Sequence, residues 1–332
     1  MLVIIAMGLA TTVLVLGALW GALALWYQVP GGVAGKGLAI ALWVAVGAAA
    51  LGMLWMHRPG LAMLGFALAF AILLLWWQRI EPSNVRTWAD DVAQMTSGEV
   101  SGSRVILRNV RNFDWRTNTD YTQRWETRTY DLEQLTSVDL ITSYWSGPAI
   151  AHVLVSFGFA DGQHVVFSVE IRRRQSDGFS EVGGFFKEFE LSVIAADERD
   201  VIRVRASVRG EDDYLYRIRM PLAAKRALFL AYVGEADRLI VAPRFYNTLT
   251  ANCTTLVYHM MRNIIGHLPL DYRLVLSGYL PAYVYKVGGL DTRYPLRELR
   301  RLGRITDRAK AADRSEDFSA DIRVGIPELP GA

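Results

Sequence analysis

Three long apolar runs dominate the start of the chain, at residues 2–26, 38–56 and 60–77. The first 80 residues contain no acidic side chain, and their basic side chains are Lys36, Arg58 and Arg79. Each run can cross a hydrocarbon core of about 30 Å as a helix, because a helix rises about 1.5 Å per residue. We therefore expect three transmembrane helices, which form a membrane anchor over residues 1–80.

Beyond Glu81 the pattern changes to short stretches of alternating apolar and polar positions, which is typical of half-buried strands. The sequence Glu-Pro-Ser-Asn at 81–84 ends the third run, and we expect a linker over 81–102. Residues 103–110 predict the first strand of a soluble domain that extends to residue 295. A polar tail follows over 296–332, and its arginine-rich composition favours partial disorder.

A β-hairpin is the clearest element of the soluble domain. Residues 151–159 and 163–172 alternate around the connection Ala160-Asp161-Gly162. A two-residue turn would put the two apolar faces on opposite sides, whereas a three-residue loop ending in a left-handed glycine aligns them. The aligned register pairs residues whose numbers add up to 322. It therefore places His152 directly opposite Glu170.

The later part of the domain predicts further strands and two helices. Residues 201–205 and 214–218 read as a second hairpin across Gly210, and Pro221 opens a helix that runs to about residue 237. A second helix carries Leu256, Val257, Met260 and Ile264 on one face. Residues 275–287 favour strand and loop. Anchor and domain together predict an α+β protein with an antiparallel sheet.

The balance of charges excludes one class of function. Residues 81–332 contain all 33 acidic residues and 36 − 3 = 33 basic ones, so this part is formally neutral although the whole chain has a pI of about 8.9. A nucleic-acid-binding protein needs a concentrated positive face, which a neutral composition does not favour. The few charges that flank the apolar runs do not fix the orientation in the membrane.

The single cysteine, Cys253, is the first candidate for chemistry. It stands at the predicted start of the second helix, where free amide groups and the helix dipole stabilise a thiolate. A nucleophilic thiol needs a base and a group that orients the base, and His152 with Glu170 supplies both. The Cys253 backbone N–H, with the side chain of Asn252 or Tyr246, could stabilise an oxyanion.

Two other interpretations of these residues stay open at this point. A lone cysteine is often a small buried apolar residue, and a His–Glu pair is often structural. The five histidines lack the spacing of a metal site, and the chain has no Cys-x-x-Cys, so we expect no metal and no cofactor.

Several motifs resemble the Lnb N-terminal periplasmic domain family over roughly residues 100–265. The segments are 109–114 (NVRNFD), 144–152 (YWSGPAIAH), 156–159 (SFGF), 168–172 (SVEIR), 197–200 (DERD) and 246–255 (YNTLTANCTT). That family is similar to the papain-like and NlpC-type cysteine hydrolases, and its namesake is a bacterial lipoprotein N-acyltransferase. Because histidine precedes cysteine here, the order resembles the circularly permuted branch of that superfamily.

The resemblance implies a multi-pass protein of the bacterial inner membrane whose soluble domain faces the periplasm. It implies that Cys253, His152 and Glu170 form a thioester acyl-enzyme from a membrane lipid or lipoprotein. A cell-wall peptidase or amidase could use the same Cys–His pair, and a non-catalytic membrane scaffold is the alternative from another class. The chain lacks the carboxy-terminal membrane region expected of the namesake, so the resemblance does not fix the acyl donor and acceptor.

Overall fold

Three apolar helices open the computed structural model, which describes residues 1–178 and 180–329. They are α1 (Leu2–Gln28), α2 (Val33–Trp55) and α3 (Pro59–Gln78), and each is long and apolar enough to cross a membrane. Proline at the first position of α3 has no N–H to leave unpaired, which suits a helix start. The prediction of three membrane helices is confirmed by length and composition.

Glycines on α1 make room for aromatic rings within this helical unit. A Cβ added at Gly21 would clash with the Trp43 ring, and one at Gly17 would lie 2.9 Å from the Phe66 ring. Trp43 Nε1 also donates to the carbonyl of Ala18 at 2.9 Å. The small residues therefore let large side chains of α2 and α3 pack against the α1 backbone, where no water competes for the hydrogen bond.

A short segment from later in the chain belongs to the same helical unit. Residues 180–189 pack with the three helices, and the Phe186 ring stacks on Tyr27 with ring centroids 5.6 Å apart. Lys187 Nζ donates to the carbonyls of Trp77 and Ile80, at 2.8 and 3.2 Å. These carbonyls lie at and just beyond the end of α3, where a cation is favourable. The sequence pattern gave no indication of this packing.

The second unit, residues 84–178 and 190–329, is built on one large sheet. Its strands are β1 (Ser97–Ser101), β2 (Arg104–Arg111), β3 (Asp114–Trp115), β4 (Tyr121–Thr122), β5 (Trp125–Asp131), β6 (Leu135–Tyr144), β7 (His152–Phe159), β8 (His164–Arg172), β9 (Glu190–Ala196) and β10 (Asp212–Arg217). The order in the sheet is β1-β2-β9-β8-β7-β6-β10, with β5 also paired to β2. Its pairs are antiparallel except β2 with β9, and β3 pairs with β4 outside it. The segment expected as a linker thus contains β1.

The predicted register of the β7–β8 hairpin is confirmed. Leu154 pairs with Ser168 and Gly158 with His164, so paired numbers add up to 322. Gly162 closes the three-residue connection with φ of +85° and donates its N–H to the Phe159 carbonyl, as a left-handed glycine does in this loop type. Both apolar faces are therefore aligned on the two strands.

Helices cover both faces of the sheet and create an α+β architecture. They are α4 (Glu198–Arg203), α5 (Leu222–Val241), α6 (Thr255–Ile265), α7 (Leu280–Lys286), α8 (Leu296–Gly303), α9 (Thr306–Ala311) and α10 (Phe318–Asp321). Side chains of α5, α6 and α7 form one apolar core with Val153, Val155 and Phe157 of β7. Leu154 points to the other face and packs in a second core with α4, α9 and α10. The α+β expectation and the helix after Pro221 are confirmed.

The strand predicted over 201–205 is wrong. This stretch is α4 followed by a π-helical stretch, Val204–Arg209, and the Asp197 side chain caps its start by accepting from Arg199 N. The alternating arginines suggested one solvated face, but Arg203 and Arg205 are both buried and paired with acids. The strand prediction assumed that the arginines of this stretch face solvent. Their burial in ion pairs contradicts that assumption. Residues 275–287 likewise form a short 3₁₀ turn and α7 instead of a strand.

The tail folds onto the second core over the residues that the structure describes, so its expected partial disorder is wrong there. Phe318 and Ile322 are buried in that core. Arg323 binds Asp139 and Glu198 at 2.9 and 2.6 Å, and both carboxylates are fully buried. Burial acts to raise the pKa of Glu198, but Arg323 lowers it to about 2. Arg217 of β10 also pairs with Asp139 at 2.6 Å, so the tail completes the pairing of these two buried acids.

Candidate active site around Cys253

Cys253 lies in a capped turn that leads into α6. The Asn252 Oδ1 atom accepts hydrogen bonds from the N–H groups of Thr254 and Thr255, both at 2.9 Å. Leu256 N donates to the Asn252 carbonyl at 3.1 Å, which continues the helical pattern back to residue 252. Asn252 therefore holds the turn before α6, and Cys253 lies in that turn, two residues ahead of the helix start at Thr255, where the helix dipole favours an anion.

His152, the first residue of β7, is held through its Nε2 atom. This nitrogen lies 2.7 Å from Ser168 Oγ and 3.2 Å from Glu170 Oε1, and the Ser168 hydroxyl donates to the same carboxylate oxygen at 2.6 Å. A ring nitrogen fixed in this way leaves Nδ1 to face another group. His152 and Cys253 lie close enough together for each to shift the pKa of the other.

The two side chains shift each other's pKa in opposite directions. Burial and the charge of Arg205 act to lower the pKa of His152, but Glu170 and the hydrogen bonds outweigh them and raise it to about 9. Burial acts to raise the pKa of Cys253, but the facing imidazole, the Val153 N–H and the Thr254 hydroxyl lower it overall. The lowered thiol pKa and the raised imidazole pKa together favour the thiolate–imidazolium form of the pair.

A buried arginine extends this pair into a chain of alternating charges. Arg205 is 8% exposed at its side chain and lies 3.2 Å from Glu170 and 3.5 Å from Glu211. The Ser143 hydroxyl donates to Glu211 in turn. Burial would raise the pKa of Glu170, but the charges of His152 and Arg205 hold it well below its usual range. Glu170 is thus fixed as a carboxylate that stabilises the imidazolium.

Sequence reasoning missed Ser168, Arg205 and Glu211. Ser168 could have been found, because it precedes Glu170 by two positions and therefore shares its face of β8. Arg205 had no such signal, since its stretch read as a strand. It projects from the π-helical stretch, a distortion that often occurs at functional sites.

Asn252 and Tyr246, which were predicted to stabilise an oxyanion, differ in what their side chains contact. The Asn252 amide nitrogen donates to the Thr248 carbonyl at 2.6 Å, so both ends of this side chain hold the turn. Tyr246 is half-buried, and burial raises the pKa of its phenol, with Cys253 and Glu170 adding to the rise. Its hydroxyl therefore lies within the electrostatic reach of both groups. Among residues 1–178 and 180–329, no three His, Cys, Asp or Glu side chains lie close enough together to hold a metal ion.

An apolar cavity of about 220 Å³ begins beside the cysteine turn. Thr254, Val257, Met261 and Ile265 line it along one face of α6. Val155 of β7, the next residue on the same strand face as Val153, forms part of the opposite wall. The volume exceeds the roughly 150 Å³ at which a dry apolar cavity takes up benzene. The cavity therefore offers space for an apolar group beside the turn that carries Cys253.

Comparison with known proteins matches part of the second unit to a family. A family model described as the Lnb N-terminal periplasmic domain matches residues 121–278, and this confirms the family that the motifs indicated. Cys253, His152 and Glu170 all lie within the matched residues. No curated protein and no solved structure matches the chain. With the three candidate spans, the match supports a membrane protein with a periplasmic domain.

Proposed function

We propose that this protein is a membrane-anchored thiol acyltransferase or hydrolase of the Lnb type, with Cys253 as its nucleophile. The observation on which the proposal mainly rests is that Cys253 lies near His152, whose Nε2 atom is held by Glu170 and Ser168. A nucleophile, a base and an orienting acid in this order are the requirements of cysteine catalysis. The domain would be a circularly permuted papain-like fold, facing the periplasm from the inner membrane.

The first step forms a thioester. The Cys253 thiolate attacks the carbonyl carbon of an acyl ester, and the resulting oxyanion is stabilised by the Cys253 N–H and by Tyr246. The carbon–oxygen bond of the ester breaks as the His152 imidazolium transfers its proton to the leaving alkoxide. An alcohol departs, His152 is neutral, and the acyl group is bound to sulfur.

The second step regenerates the enzyme. Neutral His152 accepts a proton from an amine or a water molecule, which attacks the thioester carbon. The carbon–sulfur bond breaks and Cys253 leaves as a thiolate beside the imidazolium that Glu170 stabilises. The products are an amide or a carboxylic acid, and these steps use only side chains and backbone groups of the chain.

The cavity favours a lipid acyl group over a cell-wall peptide. Its lining is almost entirely aliphatic and aromatic, whereas a peptide substrate needs polar partners for its backbone. Thr254 forms part of the wall and follows Cys253 directly, so an acyl carbonyl at the thiol could place its chain in the cavity. We therefore propose a phospholipid or a lipoprotein as the acyl donor.

Intact mass spectrometry tests this proposal. The detergent-solubilised full-length protein is incubated either with a palmitoyl phospholipid or with soluble cell-wall peptides. We expect a mass increase of one acyl chain with the phospholipid, located on Cys253 and removed by hydroxylamine as a thioester is. A peptide adduct without an acyl adduct would select the peptidase function instead. No adduct with either substrate, together with a cellular phenotype that Cys253→Ala leaves unchanged, would favour the scaffold.

Filling the cavity is expected to shorten the acyl chains that the enzyme accepts. Met261→Trp places a large ring in the cavity wall, and we expect a loss of about tenfold or more in kcat/KM for a palmitoyl donor with little change for an acetyl donor. Asn263→Trp is the matched control, because Asn263 is exposed on the same helix. Equal losses with both donors, or an equal effect of the control, would contradict a role of the cavity in chain binding.

A further inference from the structure

The stretch that follows α6 presents several apolar side chains to solvent. We call residues 265–279 the docking surface. Its exposed members are Ile265 (49%), Leu270 (80%), Tyr272 (66%), Val275 (45%) and Tyr279 (36%). Large exposed apolar patches on soluble domains mark binding surfaces, whereas single exposed residues do not.

The exposure of these side chains is built into the fold. The hydroxyl of Tyr258 donates to the Leu268 carbonyl and that of Tyr283 to the Pro269 carbonyl, both at 2.9 Å. These two hydrogen bonds thus fix the backbone of Leu268 and Pro269, which directly precede Leu270. The next turn, Tyr272–Leu274, is capped by Asp271 and buries Leu274, which directs Tyr272 outward. If this stretch were collapsed onto the domain, the side chain of Leu270 would be covered instead.

The charges around the docking surface favour an anionic partner. Residues 262–286 contain Arg262, Arg273 and Lys286 against Asp271, a net charge of 3 − 1 = +2, whereas residues 81–332 as a whole are neutral. Asp271 is already bound by Arg273 at 2.6 Å and by Lys286 at 3.5 Å. Apolar side chains flanked by basic ones are the composition that binds anionic lipid surfaces.

The docking surface is continuous with the apolar cavity. Ile265, Leu268 and Leu274 belong to this stretch and also line the cavity. The second unit starts at residue 84, six residues after α3 ends at Gln78. This short connection tethers the second unit to the membrane that α3 would span.

We propose that residues 265–279 dock on the anionic surface of the bilayer that holds α1, α2 and α3. Leu270 and Tyr272 enter the headgroup region, and the basic side chains contact lipid phosphates. The cavity then opens toward acyl chains, which do not have to cross water to reach Cys253. This last consequence rests on the proposed function, whereas the docking itself does not.

Site-specific labelling tests the docking without any catalysis. In full-length protein carrying Cys253→Ser, the variant Leu270→Cys is labelled with a polarity-sensitive fluorophore and reconstituted into nanodiscs with anionic lipid. We expect a blue-shifted emission, quenching by lipids with a nitroxide on the acyl chain, and protection from iodide. Val324→Cys in the same background is the control, because Val324 is 65% exposed in the same unit, and its label should stay open to iodide.

Two results would overturn the docking. One is a Leu270 label as open to iodide as the Val324 label. The other is protection from iodide without lipid quenching, which assigns the surface to a second copy or another protein.

A charge at the docking surface separates this proposal from the proposed function. Leu270→Glu should raise the KM for a nanodisc phospholipid by about tenfold while leaving the turnover of a water-soluble acyl ester unchanged. Loss of both activities to the same extent would contradict the docking role. If lipid quenching at Leu270 is found but no acyl transfer occurs in the wild-type protein, the docking stands and the proposed function fails.

Discussion

Cys253→Ala should abolish acyl transfer and the acyl adduct together. Removal of a catalytic nucleophile costs up to roughly a millionfold in kcat, and we expect a loss of at least about a thousandfold here. The physical reason is that the remaining base and oxyanion donors can only assist direct attack by water, which is slow. Release of lysophospholipid from a labelled phospholipid in nanodiscs measures the effect.

Cys253→Ser is the matched control for the shape of the site. A serine hydroxyl fills the same space but stays protonated beside His152 at neutral pH, so this variant should be folded and almost as inactive as Cys253→Ala. Because Cys253 is the single cysteine, thiol reagents should no longer label either protein. A thermal unfolding midpoint close to that of the wild type shows that the loss is chemical. Retention of more than one-tenth of the wild-type rate by Cys253→Ala would contradict the mechanism.

His152→Ala should remove both the base and the reactivity of the thiol. In the wild-type protein Cys253 has a lowered pKa and His152 a pKa of about 9, so the ion pair exists between these two values. Transfer should rise as the thiol loses its proton and fall above about pH 9, where His152 loses the proton that the leaving group needs. Without His152 the thiol loses the group that lowers its pKa, so iodoacetamide alkylation at pH 7 should slow severalfold.

His259→Ala is the control for the loss of a histidine. His259 is exposed on α6, the helix that follows Cys253. Its removal should therefore leave the alkylation rate unchanged, together with the rise and the fall of the transfer rate with pH. If the wild-type protein shows a single thiol titration near pH 8.5 and no fall in the transfer rate above about pH 9, the ion pair between Cys253 and His152 does not exist. An alkylation rate in His152→Ala equal to that of the wild type would lead to the same conclusion.

Part of the candidate site followed from local sequence alone. The alternation of β7 and β8 with one loop length placed His152 opposite Glu170, and their 3.2 Å separation agrees with that register. Cross-strand pairing is predictable because a register slip of one residue would expose the apolar face of one strand. A helix after the cysteine was also predictable, but α6 begins at Thr255, so Cys253 lies in the turn before the helix and not in its first turn.

The position of Cys253 next to His152 could not be predicted from such patterns. These residues are 101 positions apart, and no periodicity links them. The motif resemblance supplied the expectation of a pair, while the geometry depends on how α6 packs against β7. Arg205 shows the same limit, because a buried arginine and an exposed one look identical in a sequence.

The sequence by itself determined the three membrane helices, the β7–β8 register and the single possible thiol nucleophile. Each of these depends on hydrophobicity or chain geometry over fewer than about 25 neighbouring residues. The tertiary structure alone decided the charge chain from Glu211 to His152, the folding of the tail around Arg323, and the apolar cavity. These features depend on which distant side chains the fold brings together. The free energy of burying a charge depends on its partners, and the volume of a cavity depends on the side chains that line it.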